Sequence, residues 1–69
     1  MKLSARNVLK GTVKTIKAGP INAEVVVELA PGLQIASIIT KQSCKNLGLK
    51  KGKKAFVIVK ASSVMVGVE

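Results

Sequence analysis

The chain has 69 residues and carries a net charge of +9, from twelve Lys and Arg against Glu24, Glu28 and Glu69, with 48% apolar residues and one cysteine, Cys44. That length supports one small domain. The lone thiol excludes an internal disulfide, and the lack of His and Asp argues against a structural zinc or iron–sulfur site.

The chain begins MKLSARN, without the apolar core of a signal peptide. From Val8 the reading is VLKGTVKTIKAG, a loose alternation that predicts a strand, with a bulge or a close approach at Gly11. Ala18-Gly19-Pro20 is a turn. A second strand, AEVVVEL, alternates cleanly: Ala23, Val25, Val27 and Leu29 on one face, Glu24, Val26 and Glu28 on the other. Ala30-Pro31-Gly32 turns the chain. A third strand, LQIASII, places Leu33, Ile35, Ser37 and Ile39 on one side.

At TKQSCKNLGL the period changes to that of a short helix of about two turns, with Thr40 as cap, Ser43 three residues on, and Gly48 as stop. Lys50-Lys51-Gly52-Lys53 is another turn. A fourth strand, Lys54 to Ala61, has an apolar middle; Ser62-Ser63 breaks it, and VMVGV, Val64 to Val68, reads as a fifth. Five strands with one short helix between the third and fourth predict an all-β domain, an OB-fold-like Greek-key barrel, with an SH3-like barrel as rival.

No apolar run approaches the roughly 18 residues of a membrane span, so a soluble, cytoplasmic protein is expected. A core of this size supplies only about 3–5 kcal/mol, and with disulfides and metals excluded, oligomerisation is the remaining staple. The strands point the same way. Val26 lies opposite Val25 and Val27, and Phe56 and Ile58 lie opposite Val57 and Val59, whereas a solitary antiparallel barrel keeps its outer side polar. Subunit contacts would cover those residues.

Catalysis is nearly excluded: there is no His, Asp, Tyr or Trp to carry a tuned proton, and Cys44 has no activating base. Cys44 reads as a small buried residue of the helix. The charge of +9 calls for an anionic partner. Single-stranded nucleic acid is the first candidate for a basic OB-fold, but such sites stack bases on aromatic platforms and this chain has only Phe56. A small oxyanion needs a dense set of donors instead. Arginine gives a planar fork, lysine a point charge, and Ser and Thr rotating hydroxyls; a helix start adds free N–H groups. Ser4, Arg6, Thr40, Ser43, Lys60 and Ser62 are those residue types, and no carboxylate adjoins any of them in sequence.

The ordered set SARN with Gly11, T-x-x-S before the short helix, LGLKKGK, and KASSVM near the end resembles the molbindins, small Mop-type molybdate-binding domains, over essentially the whole chain. The resemblance implies an OB-fold that binds molybdate, and tungstate by likeness of shape and charge, for intracellular storage or homeostasis, with no organic cofactor and no metal held directly by side chains. It implies a homohexamer, a trimer of dimers, with oxyanion sites between subunits. Ser4, Arg6 and Lys60 would come from one subunit, with backbone N–H groups near Ala5 and Ala61 and the Ser62 hydroxyl; Thr40 and Ser43 would come from a neighbour. A second class of site, built from backbone, would lie near Gly19, Pro20, Ile21 and Asn22.

Overall fold

A computed structural model describes all 69 residues. Its elements are β1 (Asn7–Ala18), β2 (Asn22–Ala30), β3 (Leu33–Thr40), helix α1 (Lys41–Asn46), β4 (Lys54–Val59) and a 3₁₀ turn at Ala61–Ser63. The four strands form one antiparallel sheet in the order β3-β2-β1-β4. Three hairpin-connected strands, followed by a fourth that returns to lie beside the first, are a Greek key. The return passes through α1, so the helix sits in the one long connection.

The alternation of β2 sets the inside of the sheet. Ala23, Val25 and Val27 are buried; across the register Val13 and Ile16 of β1 and Ile35, Ser37 and Ile39 of β3 share their face. Val13, Ala23, Val25, Val27 and Cys44 make the buried core, with Ile16, Leu29, Leu49, Ala55 and Val57 packed against it. Cys44 is therefore the small buried helix residue that its position predicted.

Gly11 is a point of close approach rather than a bulge. A Cβ there would lie 2.6 Å from the Glu28 carbonyl oxygen and 2.6 Å from Val27 Cγ1. The β1 bulge comes three residues later, around Lys14, where the register with β2 shifts between Val13 and Thr15. Turns fall as read: Gly32 and Gly52 adopt φ of +79° and +91°, and Gly48 ends the helix at +63°, all left-handed conformations that glycine adopts without Cβ strain.

The sheet has four strands, not the expected five. Val64–Val68 forms no strand; Met65, Val66 and Val68 are each more than nine-tenths exposed. The 3₁₀ turn carries the chain off the end of β4, and the apolar alternation of the tail finds no partner within its own chain. The sheet consequently curls into a half-barrel and does not close. Its open side is an apolar groove of about 450 Å³ lined by Val25, Val27, Ile39, Leu49, Ala55 and Val57, among others. No helix is long and apolar enough to cross a membrane.

Candidate functional site

The two polar ends of the sequence meet. β1 and β4 run antiparallel with Asn7 opposite Val59 and Val8 opposite Ile58. Ser4, Ala5 and Arg6 lead into β1 just before that pair; Lys60, Ala61 and Ser62 leave β4 just after it. The pairing thus brings six of the eight primary candidates to one end of the sheet. β4 is shorter than the sequence suggested: Lys60 caps the 3₁₀ turn instead of continuing the strand. That early stop serves the cluster. It leaves the N–H groups of Ala61 and Ser62 without a backbone acceptor, as the first N–H groups of any helical turn are left.

Every donor in this group is idle. Ser4, Arg6, Lys60 and Ser62 are exposed, and none takes part in the six hydrogen bonds that involve side chains. The chain's one ion pair is Lys14 with Glu28, 3.6 Å apart, so no carboxylate is bound to Arg6 or Lys60. Charges and hydroxyls gathered with no internal partner suit an external anion.

Thr40 and Ser43 lie elsewhere. Thr40 ends β3 opposite Asn22, whereas Ala18, which ends β1, pairs with Ala23. Thr40 therefore belongs to the far end of the twelve-residue β1 from Arg6. It caps α1: its Oγ1 accepts the Ser43 N–H at 3.0 Å and donates to Ser43 Oγ at 2.8 Å. The Thr40 hydroxyl proton is thereby used, and the Ser43 hydroxyl proton is the free one. Two side chains read as equivalent donors have different jobs.

In the Gly19–Asn22 loop, the Gly19 N–H is donated to the Asn22 carbonyl at 2.7 Å, and the Ile21 carbonyl accepts the Lys41 N–H at 2.8 Å. Pro20 has no N–H, so Ile21 supplies the loop's remaining free amide between Gly19 and Asn22. One loop offers little to an anion, and several copies would be needed to build a site.

Lys53 is a residue that sequence reasoning missed. Its Nζ donates to the carbonyls of Leu47 at 2.9 Å and Gly48 at 3.2 Å, tying the end of α1 to the start of β4. Its own carbonyl accepts the Val13 N–H at 2.9 Å. Lys53 thereby holds the helix that carries Ser43. A cation near the last carbonyls of a helix is favourable, but this one lies outside the helix, in a run of four basic residues broken only by Gly52, and nothing local distinguishes it.

No group of His, Cys, Asp and Glu is arranged to hold a metal cation. The donor set suits an oxyanion taken up whole. Comparison with known proteins bears on the same point. Residues 3–66 match the TOBE domain. A probable molybdenum-pterin-binding protein of Haemophilus influenzae is 48% identical over the full length of both chains. The chain belongs to the TOBE-domain family.

Other relatives align over nearly the whole chain. Molybdenum-pterin-binding protein 1 of Clostridium pasteurianum is 47% identical over 96% of this chain and 97% of its own. The solved structure of MopII from the same organism, in an apo form, superposes with a TM-score of 0.90 at 45% identity, covering 97% of this chain and all of that one. The molybdate-bound structure of the cytoplasmic molybdate-binding protein ModG superposes at 0.94 with 51% identity; this TOBE chain covers 49% of that one. The resemblance to the molbindins is borne out.

Proposed function

We propose that this TOBE protein binds molybdate, and tungstate as its analogue, as a cytoplasmic store or buffer, and is not an enzyme. The observation that carries the reading is the β1–β4 pairing, which gathers Ser4, Arg6, Lys60 and Ser62 with the amides of Ala5 and Ala61 at one end of the sheet. The molybdate-binding ModG, solved with molybdate bound, supports the choice of anion, and the molybdenum-pterin-binding relatives support the element. Ser43, oriented by Thr40, completes the cluster from a neighbouring copy, because within one chain it stands at the opposite end of β1. The assembly is a hexamer, a trimer of dimers. Its support is the open apolar groove, the exposed Val64–Val68 tail, and Phe56 and Ile58, both about half exposed on the outer face. The Gly19–Asn22 loops of several copies form the second class of site.

Selectivity follows from the donors. Molybdate is fully deprotonated at neutral pH and meets only groups that donate. Phosphate retains at least one O–H, which needs an acceptor; an unsatisfied buried polar group costs about 1–3 kcal/mol. Phosphate should bind at least about tenfold more weakly, a difference of roughly 1.4 kcal/mol. Sulfate is proton-free but has shorter bonds, which leave some donors out of reach. The expected order is molybdate and tungstate, then sulfate, then phosphate, read by competition calorimetry at neutral pH. Phosphate displacing molybdate better than sulfate does would mean that an acceptor such as Glu24 or Glu28 lines the site, and would overturn the donor list. The competing reading is nucleic-acid binding, favoured by Phe56 opposite Lys10 on the outer face. Titration with single-stranded DNA at two salt concentrations separates the two, since phosphate-backbone binding falls steeply with salt.

A further inference from the structure

Helix α1 meets the rest of the fold at few points. Of its six residues only Cys44 is buried. At its start the Lys41 N–H donates to the Ile21 carbonyl at 2.8 Å. Beyond its last residue the hold is one side chain: the Lys53 ammonium donates to the carbonyls of Leu47 at 2.9 Å and Gly48 at 3.2 Å. Gly48 leaves room for that ammonium, since a Cβ there would stand 3.3 Å from Lys53 Nζ.

The backbone behind the ammonium is fixed. The Lys53 carbonyl accepts the Val13 N–H at 2.9 Å, and the Gly52 N–H donates to the Val13 carbonyl at 2.8 Å. Val13 is fully buried in the core. Lys53 therefore links the centre of the core to the free end of the helix. From there the path to Ser43 is one residue long. Leu47, whose carbonyl Lys53 grips, donates its own N–H to the Ser43 carbonyl at 3.0 Å. A helix held by one buried side chain can roll about it, and Ser43 adjoins Cys44, so its hydroxyl swings with any roll. Hydrogen bonds weaken steeply as their angle departs from linear, so an anion would feel a small rotation there.

We propose that Lys53 is a positioning residue for the oxyanion site: it touches no anion, and through Leu47 it sets where the Ser43 hydroxyl stands when one copy presents it to the next. This rests on the molybdate reading above. A cation at a helix end also adds stability by itself, so stability is read alongside affinity.

Lys53→Met keeps the aliphatic stem and removes the donor. Calorimetry on the native assembly should show molybdate bound at least threefold more weakly, with the urea midpoint little changed. Lys53→Arg, which restores a cation with donors, should recover most of the affinity. Lys51→Met removes the same charge from the same turn and should leave affinity as in the parent; a loss equal to that of Lys53→Met would make the effect one of net charge and overturn the proposal. The deciding comparison is made in Ser43→Ala. There Lys53→Met should cause no further loss, whereas losses that add would show that Lys53 acts by another route. Amide hydrogen exchange reads the same contact without any anion: the Leu47 N–H should exchange at least threefold faster in Lys53→Met and return to the parent rate in Lys53→Arg. Unchanged exchange would overturn the proposal whether or not molybdate binds. Arg6→Ala keeps the two readings apart. If it weakens molybdate while Lys53→Met binds like the parent, the role of Lys53 falls and the oxyanion site stands; if the parent binds no molybdate, the site itself falls.

Discussion

Arg6 and Lys60 are the residues next beyond the Asn7–Val59 pair, and neither has a partner in the chain. Their chemistry differs. The guanidinium fork can engage two oxygens of an anion at once, and the ammonium acts as a point charge. Charge-assisted hydrogen bonds contribute about 1.5–3 kcal/mol each. Arg6→Ala should therefore weaken molybdate by at least one such bond, roughly tenfold or more, and Lys60→Ala by less, both read by calorimetry. Arg6→Ala binding like the parent would make Arg6 structural. The Thr40–Ser43 pair allows a sharper dissection. Ser43→Ala removes the free hydroxyl but keeps the cap, so affinity should fall with little loss of stability. Thr40→Val removes the cap, which costs about 0.5–2 kcal/mol, and also releases Ser43, so affinity and urea stability should fall together. Equal effects of the two substitutions on stability would contradict this division of labour. Sequence revealed both residues as polar groups at a helix start; it could not reveal which proton is spent, because that depends on a 2.8 Å contact between two hydroxyls.

The elements were legible where a local signal existed. β2 announces itself by strict alternation, α1 by its cap and its glycine stop, and the turns by glycines that the structure places at positive φ. Two readings needed partners that lie far off in sequence. At Gly11, what matters is the β2 backbone crossing 2.6 Å from the place of a Cβ. Gly11→Ala should thus behave as overpacking and cost about 1–3 kcal/mol in denaturant unfolding; a neutral result would show that β1 and β2 can move apart there. The tail VMVGV has the alternation of a strand, yet alternation reports only that a segment could pair. Pairing requires an open edge within reach, and the 3₁₀ turn leads the chain away from one.

For the whole molecule, the sparse interior decides. Five apolar residues are buried in the core, while a groove and a tail that are both apolar stay open to water. In the proposed hexamer, other copies would cover them, one of the routes by which a chain of this size is stabilised. Native mass spectrometry should show a hexamer, and Val66→Lys, which puts a charge in the tail, should shift the population toward smaller species. A folded monomer at micromolar concentration would remove the interfacial site as well. The meeting of the two chain ends was foreseeable once a Greek key was assumed, because that topology returns the fourth strand to the first. The separation of Thr40 and Ser43 from them was not, since it depends on the length of β1 and on which end of it each connection reaches.

That same return sets an order of events. β1, β2 and β3 join through short turns, but Asn7 and Val59 are far apart in sequence, and closing so long a loop carries the larger entropic cost. The β1–β4 contact should form last in folding and open first in the native state. The cluster proposed to bind the anion sits on that late-closing seam. A bound dianion would then act as a clasp: amide hydrogen exchange in β4 should slow on adding molybdate, while exchange in β2, held on both sides by local hairpins, stays as it was.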